Sequence, residues 1–226
     1  MKNSDKIDVI IPVYNEEEIL ETFYHRIKSL TLDLNLIFVD NASNDNTPKL
    51  LEGFADITVI KHEKNEGYGG SIIDGIEQSD GDIIVIIDAD CEFPPESIPD
   101  MIEALKEQEV VYGSRFLDQK SVDMPWSRII GNKFISHLFN FLYRQKTTDL
   151  YTGFKAFRRS ALDDISLTRK GFEHVLEMGA KLAKKGVTIN EIPIKYAPRS
   201  TGTAKMKHFT ETLKFMYYLI YYRICN

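Results

Sequence analysis

Five strand-length apolar runs, Ile7–Val13, Leu34–Val39, Ile57–Ile60, Ile83–Ile87 and Val110–Tyr112, are spaced through the first half of the chain with helix-like segments between them. Those segments are Glu17–Leu30, Thr47–Phe54, Gly70–Gln78 and Pro95–Glu107. A run apolar on both faces has to be covered on both faces, so the alternation argues for a mostly parallel sheet sandwiched between helices, an α/β fold. Asn46-Thr47-Pro48 reads as a helix start, a capping residue followed by proline in the first turn. Ligands of such sheets sit at the carboxyl ends of the strands. Asp40, Asp88, Asp90 and Arg115 each follow an apolar run and are therefore expected along one edge.

The second half is organised differently. Ser127–Tyr143 carries apolar residues at helical spacing (Ile130, Phe134, Leu138, Phe141, Leu142). Thr152–Phe157 alternates as a strand does, Phe172–Lys185 reads as a helix and Val187–Tyr196 as a strand. A Pro/Gly/Ser/Thr-rich loop, Pro198–Thr203, leads into an apolar and aromatic segment, His208–Ile224. A length of 226 residues suits one domain, and two cysteines, Cys91 and Cys225, are too few for a disulfide framework. With no signal-peptide pattern ahead of the first strand, the expectation is a reduced, cytoplasmic setting.

Charge divides the chain. Residues 1–109 hold 8 Lys/Arg against 25 Asp/Glu (−17), and residues 110–226 hold 20 against 9 (+11), within a net charge of −6. The basic half points to an anionic partner: nucleic acid, a membrane surface or a phosphorylated substrate. Nucleic acid is disfavoured, because the acidic half would repel a phosphate backbone and no RNA- or DNA-binding motif is present.

The chemistry-bearing junction is Ile83–Ile87 running into Asp88-Ala89-Asp90-Cys91-Glu92. Three carboxylates at a strand end form a hard oxygen cluster suited to Mg²⁺ or Mn²⁺ shared with phosphate oxygens; taken alone, they would equally serve as a solvated acidic turn. The turn after the first strand, Pro12-Val13-Tyr14-Asn15-Glu16, lacks the glycines of a dinucleotide fold, and no GxxxxGK[ST] loop exists. Gly67-Tyr68-Gly69-Gly70 could approach a ligand or simply make a tight turn. The five histidines show no zinc-ligand spacing.

Taken in order, Ile11-Pro12-Val13-Tyr14-Asn15-Glu16-Glu17, Val39-Asp40-Asn41-Ala42-Ser43, Asn65-Glu66-Gly67-Tyr68-Gly69-Gly70, Asp88-Ala89-Asp90 and Gly113-Ser114-Arg115 resemble the inverting glycosyltransferases of family 2. Arg128 with Asn132, Thr152-Gly153-Phe154, Glu177, Glu191-Ile192-Pro193-Ile194 and Arg199-x-x-Gly202-x-x-Lys205 are similar to the dolichyl- and polyprenyl-phosphate sugar synthases within it. The resemblance implies a GT-A fold, a Rossmann-like three-layer α/β architecture. It would span residues 1–226 as one domain: a donor half (1–115), an acceptor half (116–207) and a C-terminal amphipathic helix (208–226) that lies at a membrane surface or packs on the domain. It also implies roles. Pro12, Tyr14 and Glu16 would frame the nucleobase and ribose, with Asp40 reading the base beside Asn41. Asp88, Ala89 and Asp90 would meet the donor, with Asp88, Asp90 and Glu92 as metal ligands. Arg115, Arg128 and Arg199 would receive the acceptor phosphate with Asn132, and Lys205 would face a phosphate. Asn41 replaces a usual second Asp, Glu92 a usual Gln and Ala204 a usual Ser.

The implied reaction moves a hexose of mannose or glucose type from a GDP- or UDP-sugar to polyprenyl or dolichyl phosphate, inverting it to a β linkage. A phosphate monoester is ionised near neutral pH and attacks without a general base, which a sugar hydroxyl would need. Two alternatives are a family 2 enzyme acting on a saccharide hydroxyl and a catalytically silent nucleotide-sugar or membrane-binding module. Phe215–Tyr222, bracketed by Lys214 and Arg223, is far short of the ~20 residues that span a bilayer and has the Tyr-rich, basic-flanked character of an interfacial helix. The expected location is peripheral, on the cytoplasmic face of the membrane, and a membrane partner subunit is compatible with the resemblance. Trp126, the single tryptophan, suits lipid contact or plain packing.

Overall fold

The computed structural model describes residues 5–117, 123–198 and 208–225. In chain order the elements are β1 (Ile7–Val13), α1 (Leu20–Lys28), β2 (Leu34–Asp40), α2 (Thr47–Gly53), β3 (Ile57–Lys61), α3 (Tyr68–Gln78), β4 (Ile83–Ile86), α4 (Ile98–Ala104, entered through a 3₁₀ turn at Pro95–Ser97) and β5 (Val110–Ser114). There follow α5 (Trp126–Tyr143), β6 (Lys155–Arg158), α6 (Arg159–Leu162), α7 (His174–Lys184), β7 (Asn190–Pro193) and α8 (His208–Ile224).

The seven strands form one sheet in the order β3-β2-β1-β4-β6-β5-β7. All neighbouring pairs are parallel except those made by β6, which runs antiparallel to both β4 and β5. The expected α/β sheet is therefore present, with one reversed strand wedged into its middle. Alternation along β1 and β4 divides the core by face. Ile10, Ile84 and Ile86 pack on the side of α3, α5, α7 and α8, whereas Val9, Ile11, Ile83 and Val85 pack on the side of α1, α2 and α4.

Two local readings change. The start of α2 is capped by Asp45, whose Oδ1 accepts the Thr47 N–H at 2.9 Å, while Asn46 makes no side-chain cap. On α5 the apolar stripe read from the sequence faces largely away from the core. Ile130, Phe134 and Phe141 are exposed, and the buried face is Asn132, Ile135, Ser136, Phe139 and Tyr143. The polar members of that face are used: Ser136 Oγ accepts the Leu150 N–H and donates to Asn132 Oδ1, both at 3.1 Å. Helix α8 docks on the domain through Phe215, Leu219 and Tyr222, and its other side stays open at Tyr217, Ile220 and Ile224. Among the described residues no helix is long and apolar enough to cross a membrane.

Candidate active site

The loops at the carboxyl ends of β1 and β2 are clasped together by hydrogen bonds. Asn15 and Glu16 donate their backbone N–H to Ser43 Oγ and Thr47 Oγ1, both at 2.9 Å, and Asn15 Oδ1 accepts the Asn44 N–H at 2.8 Å. Three non-glycine residues near this edge, Asn15, Ala42 and Cys91, have φ of 52°, 61° and 58°. These left-handed conformations follow β1, β2 and β4 and turn each loop sharply back over the sheet edge. Such conformations cost free energy, and surrounding contacts have to hold them.

These loops, α3, α5 and the segment before β6 enclose a cavity of about 510 Å³. Of the residues expected at a site, Pro12, Tyr14, Glu16, Asn41, Asp88, Ala89, Asp90, Glu92, Arg115, Arg128 and Asn132 line it. Asp40 does not. It is buried, and its Oδ1 accepts the Ser43 N–H at 3.0 Å, so it shapes the β2 turn and leaves the wall to its neighbour Asn41. Asn41 Oδ1 accepts the Glu66 N–H at 2.8 Å, and its amide donates to Asn65 Oδ1 at 3.1 Å. A carboxylate at 41 could not make that donation. Arg199 and Lys205 lie outside the described residues.

At the end of β4, Asp88 is held between two groups. Tyr68 donates its hydroxyl to Asp88 Oδ1 at 3.0 Å, and Gly153 approaches so closely that a Cβ there would run into the carboxylate. Burial, then the neighbouring Asp90 charge, push the Asp88 carboxyl up from its ordinary range. Burial also pushes the Tyr68 phenol up, which keeps it a donor. Asp90 Oδ1 accepts the Glu92 N–H at 3.0 Å, tightening the turn at Cys91. Among the described residues no three His, Cys, Asp or Glu side chains converge as a ready-made metal cage. The donor set nevertheless suits a hard divalent ion. Two neighbouring half-buried carboxylates repel each other until a cation intervenes, and Mg²⁺ is commonly held by one or two carboxylates with phosphate oxygens completing the shell.

The opposite wall is organised around Asp149, which the sequence reading did not single out. Asp149 is fully buried, and its carboxylate grips Arg115 from both sides: Oδ2 accepts Nε at 2.6 Å and Oδ1 accepts Nη2 at 2.8 Å. It also accepts the Arg115 backbone N–H at 3.1 Å and the Asn132 amide at 2.7 Å. Glu191 fixes the same loop from below, accepting the N–H groups of Thr148 and Asp149 at 2.8–2.9 Å. Arg115, which the resemblance makes a receiver of the acceptor phosphate, is paired with Asp149 and still lines the cavity, with two of its five N–H donors committed to the Asp149 side chain. Arg128, in the first turn of α5, lines the same wall. One sequence signal did point to Asp149: it is the lone carboxylate in residues 124–162, a stretch with seven Lys/Arg.

Lys155, also missed, is buried at the start of β6 with its ammonium 5.2 Å from the Tyr112 ring centre and hydrogen-bonded to the Thr152 carbonyl. Burial pulls its pKa down, while Asp88 and Asp149 pull it up. It is a cation set between the two halves of the site. Glu177 serves structure: buried in α7, it accepts the Thr168 and Arg169 N–H groups at 2.9 and 2.7 Å.

Residues 8–166 match the family Glycosyl transferase family 2. The chain is 31% identical to the dolichol-phosphate mannosyltransferase of Pyrococcus furiosus over 95% of its own length, and it spans 64% of that protein. It is 32% identical to the UDP-N-acetylglucosamine–dolichyl-phosphate N-acetylglucosaminyltransferase of Methanococcus voltae, covering 84% of each chain. With the undecaprenyl-phosphate mannosyltransferase of Micrococcus luteus it shares 30% identity, over 89% of this chain and 87% of the other. Among solved structures, glucosyl-3-phosphoglycerate synthase from Mycobacterium tuberculosis in complex with Mg²⁺ and uridine-diphosphate superposes with a TM-score of 0.73 at 18% identity. That match covers 97% of this chain and 79% of the other, and it bears on the fold alone, which is GT-A.

Proposed function

This chain belongs to glycosyl transferase family 2, and on that premise we propose that it transfers a hexose from a GDP- or UDP-sugar to a polyprenyl or dolichyl phosphate, with inversion to a β-linked lipid-phosphate sugar. The observation that carries the reading is the division of one cavity into two walls of opposite character. Carboxylates Asp88, Asp90 and Glu92 line the β4 side, and Arg128, Arg115 and Asn132 line the α5 side. A donor that departs as a nucleoside diphosphate suits the first wall when a divalent ion is present, and an anionic acceptor suits the second. The relatives from Methanococcus voltae and Micrococcus luteus carry names that specify dolichyl-phosphate and undecaprenyl-phosphate chemistry, and this chain spans most of the length of both.

In this reading the chain's own residues bind and orient. Pro12, Tyr14, Glu16 and Asn41 frame the nucleoside. Asp88 and Asp90, with Glu92 beside them, would hold Mg²⁺ or Mn²⁺, whose contribution when bound is to offset the charge that gathers on the departing diphosphate. Tyr68 and Gly153 fix the direction of the Asp88 carboxylate, which keeps the donor's anomeric carbon in one position. Arg128 and the remaining donors of Arg115 align the acceptor phosphate for in-line attack, and Arg199 and Lys205 are proposed as further cations on that side. No proton has to leave an ionised phosphate nucleophile, so the site requires no general base. Residues 1–115 act as donor half and 116–207 as acceptor half, at the cytoplasmic face of a membrane.

A radiolabelled transfer panel tests this: GDP- and UDP-hexoses against polyprenyl phosphates, with and without Mn²⁺. The expected outcome is a lipid-extractable β-linked product that requires the metal. Transfer to a free saccharide with every lipid phosphate inert would overturn the reading, as would an α-linked product by NMR.

A further inference from the structure

Asn41 is 5% exposed and lines the cavity, as Pro12, Tyr14, Asn65 and Gly67 do. Its Oδ1 accepts the Glu66 backbone N–H at 2.8 Å and lies 3.0 Å from His62 Nδ1, so that ring nitrogen carries a proton and donates it. A carbonyl oxygen has two lone pairs, and both are thereby occupied. The Asn41 amide donates to Asn65 Oδ1 at 3.1 Å, and the same oxygen accepts the Gly67 N–H at 2.9 Å. Backbone N–H groups only donate, so neither carboxamide can be turned over without setting donor against donor. His62 braces the arrangement. Its backbone N–H donates to the Asp40 carbonyl at 2.9 Å, its side chain is 7% exposed, and its Nε2 lies 2.8 Å from Asp74 Oδ2 on α3. Among the described residues, what the side chains of Asn41 and Asn65 have left to offer a ligand is N–H alone.

We propose that this corner reads a carbonyl oxygen of the base and selects a uridine diphosphate sugar over its guanosine and cytidine counterparts. His62 is the positioning residue that keeps the Asn41 oxygen occupied. Uracil has a carbonyl at each end of its hydrogen-bonding edge, whereas guanine and cytosine each have a carbonyl at one end and an amino group at the other. An amino group brought to this corner meets a donor with a donor, and a polar group left unpaired in a buried site weakens binding. A carboxylate at 41, the usual residue in the family pattern, would present acceptors instead and suit an amino group. The inference deepens the proposed function and rests on its placement of the nucleoside at Pro12, Tyr14, Glu16 and Asn41.

Calorimetric titration of the full chain with UDP, GDP and CDP in the presence of Mn²⁺ tests this without any transfer reaction. UDP is expected to bind more tightly than either of the others by roughly tenfold or more. UDP and CDP share ribose and diphosphate, so their difference reports the base alone. Asn41→Asp should erase the preference. His62→Leu should narrow it, because Asn41 Oδ1 regains a lone pair that an amino group can use. A purely architectural role for either residue would weaken all three nucleotides together and leave their ratios unchanged. The parent protein alone decides the matter if a variant fails to fold: GDP or CDP bound as tightly as UDP overturns the inference and leaves the transfer reading intact. Ratios unmoved in folded Asn41→Asp and His62→Leu overturn it as well. Binding of none of the three would sink the nucleoside site, and both readings with it. A clear UDP preference with every lipid phosphate inert as acceptor would instead sink the transfer reading and leave this inference standing.

Discussion

Replacing Asp149 by Asn changes few atoms and should be among the most damaging substitutions in the chain. The carboxylate accepts four hydrogen bonds, three from Arg115 and one from Asn132, at 2.6–3.1 Å, and it is wholly shielded from water. An amide in its place presents an NH₂ to a guanidinium N–H on one side and removes the paired counter-charge of an Arg115 side chain that is itself only 9% exposed. Breaking one partner of a buried pair costs about 3–5 kcal/mol, because the remaining charge is left uncompensated. For a protein of this size 1 kcal/mol moves Tm by about 2–4 °C, so a loss on the order of 10 °C is expected. Equilibrium urea unfolding and calorimetry would read it, with Asp163→Asn, an exposed carboxylate, as the control expected to stay within about 0.5 kcal/mol. Arg115→Met/Asp149→Leu, which removes both charges, should recover much of the loss, so that the two sites are strongly non-additive. A loss below about 1 kcal/mol for Asp149→Asn, or a double variant as unstable as the sum of its singles, would refute the claim that this pair is held by mutual compensation.

His174 supplies a pH test. Its imidazole is buried in α7, and burial first, then the Lys155 charge, press its pKa from 6.5 down to about 3. Below pH 6.5 the unfolded chain takes up a proton that the native chain refuses, so this group lowers stability as pH falls, by about 2 kcal/mol at pH 5. Urea midpoints at pH 7 and pH 5 should separate less for His174→Leu than for the parent protein, and equal separations would refute the assignment. Gly153→Ala drives a methyl group into the Asp88 carboxylate and should lower transfer by at least tenfold while far-ultraviolet circular dichroism is preserved; full activity would mean that Asp88 can retreat. Asp90→Asn removes one of the three carboxylate charges that would hold the ion, and metal-supported transfer should fall by about 10²-fold or more. A change under threefold at saturating Mn²⁺ would take Asp90 out of the site.

The sheet was readable because burial on both faces leaves an unbroken apolar run, and β1, β2 and β4 carry one each. The edge positions of Asp88, Asp90 and Arg115 followed from strand ends alone. Period fails at α5 for a physical reason: a 3.6-residue repeat identifies an apolar face but not what covers it, and here Asn132 and Ser136 are drawn inward by Asp149 and the Leu150 N–H. Asp40 and Arg115 were assigned by type and position, yet both are occupied within the protein. Whether a polar side chain is free depends on a partner distant in sequence: Asp149 is 34 residues from Arg115. Lys155 was hidden because one buried lysine in a short strand looks like an ordinary edge residue until the sheet order puts β6 between β4 and β5.

That reversed strand has a consequence for how the molecule can be divided. Charge splits the sequence near residue 109, and the donor-side motifs end at Arg115, which invites the idea of a separable first half. Yet β4 and β5 do not touch as strands; each finds its partner in residues 155–158. A fragment ending at 115 would leave one edge of β4 bare, with Ile83–Ile86 offering unpaired backbone groups along an apolar strand, and would leave β5 without a neighbour. Bare edges of this kind recruit other chains. During synthesis the carboxylate-bearing strand therefore waits for some seventy further residues before its second neighbour exists. The boundary visible in composition is not a boundary of folding, and a truncated donor half should aggregate before it can bind a nucleotide.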